Sequence, residues 1–253
     1  MALKDGDVVR FDYTLWIEGD KKPLDTSIQA VAQAEGIAKE NRTYKPMTVA
    51  LGTQTIIPGL ESHIRSHGQK GRTVTVTLSP AEGYGERHAD KIKTIPMAQF
   101  KSQKVEPRVG MELNLQGARG IVTRVDGGRV RVDTNHDLAG KTLRYEYTVR
   151  DVLTDDRSKV EAVLENFFGA GAKFEVSADT VTVELPDSVK FAQDWTMAKF
   201  RVLGELRNAT GKAKTIRLVE VYPVIKDTPP AAESTSDPAA GAGPATKASA
   251  KNE

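Results

Sequence analysis

Two short runs hold the residues best suited to chemistry: residues 49–61, VALGTQTIIPGLE, and residues 80–85, PAEGYG. They combine an apolar lip, a helix start at Pro58-Gly59-Leu60-Glu61 and the isolated phenol of Tyr84. Neither run supplies a nucleophile, a phosphate-binding loop or a metal-ligand cluster, so the chemistry they fit is the binding and twisting of an apolar backbone. His63 and His67 have the spacing of the two zinc ligands in H-E-x-x-H, but Ile64, Arg65 and Ser66 lie between them, without the Glu that acts as base, and no third ligand is evident. They read as a structural or solvent-facing pair, and no metal or cofactor is expected.

The elements that must position these residues are legible on either side. VVRFDYTLWI, ending at Ile17, alternates and is rich in β-branched and aromatic residues, as a strand requires, and residues 48–51 and 73–78 read likewise. Residues 25–45 form a longer polar connection with one short helix expected in its Ala-rich part, before Asn41. Pro58 is favoured in a first helical turn, Leu60, Ile64 and His67 share one face, and Gly68 and Gly71 stop the helix. A short helix laid across a curved antiparallel sheet follows.

Residues 86–136 change texture, running through IKTIPMAQF, VGMELNL, RGIVTRV and GRVRVDT, with Asp126-Gly127-Gly128 as a hairpin turn. The earlier strand pattern resumes at residues 141–149, KTLRYEYTV, which makes the intervening segment an insertion. Beyond Thr154, Val160, Val163, Leu164 and Phe167 follow helical spacing up to Gly169; residues 173–176 and 180–185 predict a hairpin, Trp195, Ala198, Val202 and Leu206 a second helix, and residues 216–225 a last strand. This is an αββαβ domain at 154–226. Residues 227–253 are Pro, Ala, Gly and Ser with almost no large apolar side chain, the composition of a disordered tail.

Composition bounds the function. The 253 residues carry 36 Lys or Arg against 34 Asp or Glu, a net charge of +2 that argues for no nucleic-acid or membrane field. No cysteine occurs, which excludes disulfides and thiolate chemistry. The first ten residues are already charged and no apolar run approaches the ~18 residues of a membrane span, so a cytoplasmic protein is expected.

Several ordered pieces resemble FKBP-type peptidyl-prolyl isomerases, in the SlyD-like and long archaeal forms that carry an insert-in-flap domain. They are Phe11-Asp12-Tyr13-Thr14, Leu24-Asp25-Thr26-Ser27, LGTQTIIPGLE, Ala81-Glu82-Gly83-Tyr84-Gly85-Glu86-Arg87, Ile95-Pro96 with Phe100, Val109-Gly110-Met111 and VDTNHDLAGKTLRYEYTV, together spanning about three-fifths of the chain. The resemblance implies an α+β fold: an antiparallel half-barrel wrapped on a short helix (residues 1–85 and 137–153), a β-rich chaperone insert (86–136) and the αββαβ domain. It implies a proline pocket lined by Tyr13, Leu24, Asp25, Met47, Val49, Ile56, Ile57, Leu60, Tyr84 and Tyr145, in which Tyr13, Asp25, the Ile57 amide and Tyr84 are the catalytic set.

The same resemblance implies that Ile95, Met97, Phe100, Met111 and Leu113 of the insert grip unfolded, proline-containing chains, methionine being adaptable to varied partners. It implies a homodimer through apolar faces around Phe167, Phe168, Trp195 and Phe200. Leu24 and Leu60 stand where small human-type members have Phe and Trp, and the His-rich tail of bacterial SlyD is absent. The insert holds ten Lys or Arg and six Asp or Glu, but no aromatic platform for bases, so nucleic acid is not the expected partner. The rival reading is a non-catalytic holdase or peptide-binding module on the same fold.

Overall fold

The computed structural model describes residues 3–115, 117–211 and 213–222. β1 (Val8–Ile17) is the spine of the first layer. Its alternation sends Val9, Phe11, Tyr13 and Leu15 into one core, while Val8 faces another. β2 (Asp25–Thr26), α1 (Gln29–Ala34) and β3 (Met47–Ala50) follow, then α2 (Pro58–His67) and β4 (Thr73–Leu78). The TVTVTL sequence of β4 turns Val76 and Leu78 inward and its threonines outward. α2 begins at Pro58 and buries Leu60 and Ile64 against the sheet; each such side chain contributes roughly 1.5–3 kcal/mol.

The chain then leaves this sheet for a second one. β5 (Ile92–Pro96), α3 (Met97–Ser102), β6 (Glu112–Leu115), β7 (Ala118–Asp126) and β8 (Arg129–Asp133) form a four-stranded antiparallel sheet in the order β5-β8-β7-β6. The turn between β7 and β8 needs left-handed backbone at two successive residues, and Gly127 and Gly128 supply it at φ 56° and 74°. Phe100, Val122, Val130 and Val132 form the core of this sheet.

β9 (Leu143–Leu153) returns to the first sheet, whose order is β2-β1-β9-β4 with β3 also paired to β1. Opposite Arg10 and Phe11 the register passes from Asp151 to Val149, leaving Arg150 as an extra residue. This bulge moves the inward set of β9 from Tyr145, Tyr147 and Val149 to Val152 without losing the shared face. Arg150 Nε donates to the buried carboxylate of Asp12 at 2.6 Å, which also accepts from Ser27 Oγ at 2.9 Å.

α4 (Asp156–Phe168) opens on Asp155, whose side chain accepts from the Ser158 amide at 2.8 Å. β10 (Phe174–Val176), β11 (Thr180–Glu184), α5 (Asp187–Lys190), α6 (Trp195–Ala209) and β12 (Thr215–Val219) complete the described chain, β12 lying parallel to β11. Val160, Val163 and Leu164 of α4 share a core with Leu206 of α6 and with Val8 and Ala50 of the first sheet. The mixed α/β character and the antiparallel sheets match the expectation. The last strand does not run on as expected but stops at Val219; Ile225 and the tail expected at 227–253 lie outside the described residues. Among the described residues no helix is long and apolar enough to cross a membrane.

Gly59 marks a close approach between α2 and the turn after β4. A Cβ there would lie 2.7 Å from both the Cβ and the carbonyl oxygen of Glu82, in the turn that leads to Tyr84. Glu82 is held in turn by Ser79, whose amide and hydroxyl donate to its carboxylate at 2.9 and 2.6 Å. Gly59→Ala is therefore expected to lower the unfolding free energy by about 1–3 kcal/mol, read from the midpoint of denaturant unfolding at unchanged slope.

Candidate active site

A cavity of about 410 Å³ opens between the first sheet and the start of α2. β1 places Tyr13 and Leu15 on one wall, β2 and β3 add Asp25 and Met47, and β9 adds Tyr145. The loop 54–57 and the first turn of α2 close it with Gln54, Thr55, Ile56, Ile57 and Leu60, and Tyr84 stands at its edge. The Ile57 amide sits at the N-terminus of α2, where main-chain donors have no partner within the helix.

The polar groups of the wall are tied to one another. The Tyr13 hydroxyl donates to Asp25 Oδ2 at 2.7 Å, and Arg42 Nη2 donates to both the Tyr13 oxygen and Asp25 Oδ2 at 3.2 Å. Arg42 Nη1 also pairs with Asp25 Oδ1. Burial first, then the bond to Asp25, pushes the Tyr13 phenol up to about 12. Asp25 raises the Arg42 guanidinium in the same way, and burial, followed by Tyr84 and Tyr13, raises Tyr145. Tyrosines held this way form a fixed, uncharged wall.

Tyr84 is positioned from outside the cavity. His136 lies flat on its ring, with centroids 4.2 Å apart and planes 6° from parallel. The Leu138 amide donates to His136 Nδ1 at 3.1 Å, so that nitrogen carries the lone pair and Nε2 the proton of the neutral ring. The two chain crossings between the sheets meet here: the Gly140 amide donates to the Gly85 carbonyl at 2.8 Å, Asn135 bonds the His88 main chain twice at 2.9 Å, and Arg87 pairs with Asp133. Asn135 and Arg87 hold the Asp133 carboxyl below the usual range against the opposing effect of its burial, the largest single influence.

The lip is braced from two sides. Glu61 of α2 accepts from the Gly52 amide at 2.8 Å. On the other side Glu205 of α6, itself buried, lines one cleft together with Thr55. Thr53 donates to the Ala50 carbonyl at 2.6 Å and lies 2.5 Å from the Thr55 hydroxyl. Burial pushes the Glu205 carboxyl up, against the pull of Arg201 and Thr55.

Of the pocket residues expected from the sequence, Tyr13, Asp25, Met47, Ile56, Ile57, Leu60, Tyr84 and Tyr145 come together around the cavity. Leu24 and Val49 do not. The alternation of β3 turns Val49 into the core at 2% exposure, and Leu24, just before β2, is 45% exposed away from the lining. Leu15, Gln54, Thr55 and the bracing groups Arg42 and Glu205 do not stand out in the sequence, no periodicity marking Arg42 in its loop, whereas His136, beside Asn135, reads there as part of the domain junction and not as a catalyst. In the insert, Ile95, Met97, Met111 and Leu113 are partly buried around the sheet core, while Phe100, at 6% exposure, belongs to that core and cannot offer its ring to a client. His63 and His67 stack on each other at 4.4 Å, and His63 Nδ1 bonds the Tyr147 hydroxyl at 2.9 Å.

The sequence matches the profile of the FKBP-type peptidyl-prolyl cis-trans isomerase over residues 1–101, that of the FKBP26 IF domain over 93–138 and that of the FKBP26 C-terminal region over 156–223. A short-type peptidyl-prolyl cis-trans isomerase of Methanocaldococcus jannaschii is 37% identical over 150 residues, covering 59% of this chain and 94% of that protein. The FKBP-type isomerase SlyD of Treponema pallidum is 38% identical over 127 residues, 47% of this chain and 70% of its own. A 16 kDa FKBP-type isomerase of Escherichia coli is 29% identical over 114 residues, 43% and 74% of the two chains. The chain belongs to the FKBP-type peptidyl-prolyl cis-trans isomerases, and is an enzyme of that class.

Two measurements probe this arrangement. With Tyr13 pushed up to about 12 and Tyr145 also raised, kcat/KM is expected to stay flat from about pH 7.5 to about 9.5, above the ordinary histidine range. A slope there assigns proton transfer to the site. For Glu205 the raised carboxyl binds its proton more tightly folded than unfolded, so its contribution is complete below the ordinary value of 4.5 and is lost as pH rises through the folded value. Stability of the wild type relative to Glu205→Gln is therefore expected to fall as pH rises from about 4.5, in parallel denaturant titrations.

Proposed function

We propose that this enzyme accelerates cis–trans isomerisation of X-Pro bonds in folding polypeptides, with the prolyl ring in the cavity and the client chain held by the β5–β8 insert. The observation that carries the reading is a cavity whose walls are apolar and whose polar groups are already committed to each other. Amide resonance sets a barrier of ~18–20 kcal/mol. A twisted amide has lost part of its charge separation, so enclosure away from water favours it over the planar forms. The Ile57 amide and the Tyr84 hydroxyl hold the peptide on either side of the turning bond, and the Arg42–Asp25–Tyr13 group keeps the wall rigid. No covalent step is needed.

Chaperone action is the second part of the proposal. Around the insert, Ile95, Met97, Met111 and Leu113 keep part of their apolar surface outside the core, which suits loose capture of varied chains. The proposal includes a cytoplasmic setting and a homodimer. For the dimer, Trp195 is spent in the C-terminal core and Phe167 and Phe168 pack against it, whereas Met197 and Phe200 of α6 are 74% and 70% exposed and available to a second copy.

The decisive comparison is between the full chain and a form in which residues 86–136 are replaced by a short turn, which the Gly140–Gly85 hydrogen bond at 2.8 Å makes geometrically reasonable. Protease-coupled turnover of a short X-Pro peptide is expected to survive the replacement, lowered only by the loss of His136 from the Tyr84 ring. Catalysis of proline-limited refolding is expected to drop on the order of 100-fold, the scale on which a tethered second site raises binding. A full chain inactive on both substrates overturns the proposal and favours the holdase.

A further inference from the structure

The lip of the cavity has a second side. Between loop residues Gln54 and Thr55 and helix α6 lies a cleft of about 330 Å³, bordered on the helix by Arg201, Gly204, Glu205 and Asn208. Gln54 and Thr55 border both this cleft and the prolyl cavity. A chain that leaves the cavity over that wall enters the cleft.

Three features set the cleft apart from an incidental gap. Gly204 lies within α6, where glycine is the poorest helix former after proline. A Cβ at that position would meet nothing within 4 Å, so neither close packing nor a turn accounts for it, and its consequence is open space beside the lip. Gln54 is held at φ 54°, a left-handed conformation uncommon in residues other than glycine and concentrated at ligand clamps. The border is also polar in a particular way. The Gln54 and Asn208 amides each both donate and accept, and Arg201 donates, which suits the alternating N–H and C=O groups of an extended polypeptide. The buried carboxyl group of Glu205 disfavours an anion, and the amides disfavour an apolar side chain.

We propose that this cleft is a subsite for the extended polypeptide continuing beyond the proline, so that α6 reads the client segment next to the bond being turned. The proposal rests on the reading of the adjoining cavity as the prolyl pocket. Bound there, main-chain groups of the client meet Gln54, Asn208 and Arg201 while Gly204 leaves room for the chain to pass.

The test compares kcat/KM for a four-residue X-Pro peptide with peptides lengthened by three residues at one end or the other, using the full-length wild type, Gly204→Met and Asn208→Leu. In the wild type, lengthening at one end is expected to raise kcat/KM about tenfold, the scale of two added hydrogen bonds. In both variants that gain is expected to fall towards one. Gly204→Met is expected to melt at or above the wild type, since methionine is the better helix former. A gain equal in all three proteins, or no gain in the wild type at either end, overturns the proposal. A wild type that turns over none of the peptides overturns the prolyl reading instead. In that case anisotropy titration of the labelled long peptide decides the cleft separately, and affinity unchanged in both variants overturns it.

Discussion

The pairing of β1 with β9 is the constraint on which the rest of the molecule depends. Ten residues of β1 face β9 through one bulge, and β2, β3 and β4 each pair with one of these two strands. β1 carries Tyr13 into the cavity and also pairs with β2 and β3, which bring Asp25 and Met47 beside it. β9 brings Tyr145 across from Leu15, receives β4 on its other edge, and continues into α4. Because side chains alternate strictly along a strand, a register slip of one residue would send Tyr13 and Tyr145 to the wrong face. The bulge at Arg150 lets a long strand serve two cores, with Val8 and Leu153 turned to the C-terminal side.

A site on such a sheet works without a reactive group because its polar atoms are satisfied within the wall. A buried phenol without a partner would cost free energy and would also compete for the client's main chain. Tyr13, Asp25 and Arg42 remove both problems by bonding each other. The same economy explains the position of the insert. It leaves and re-enters beside Tyr84, and the hydrogen bonds that close the two crossings also fix His136 on that ring. The crossings of the insert and the edge tyrosine thus share one set of contacts.

On the opposite side of the cavity, α6 reaches the lip through Glu205 and Thr55, while its inner face is buried with α4. The C-terminal region is thus a support of the lip as well as a surface of its own.

Much of this was legible in the residues themselves. Period-two alternation gave β1, β4 and β9, Pro58 gave the start of α2, and the Gly127-Gly128 pair gave the tightest turn of the insert, because each follows from the conformational limits of a few neighbouring residues. The resemblance names eight residues that line the cavity. It misplaced Val49 and Leu24, since one residue of phase in β3 decides core against cavity and the segment before β2 turns outward. It did not reach Arg42, 29 residues from Tyr13, nor His136 and Glu205, which meet the site from the insert junction and from α6. The sequence by itself determined strands and turns, both of them local properties of the chain. Only the tertiary structure decided which distant groups hold the wall and the lip, because those contacts depend on how sheets and helices pack and leave no period in the sequence.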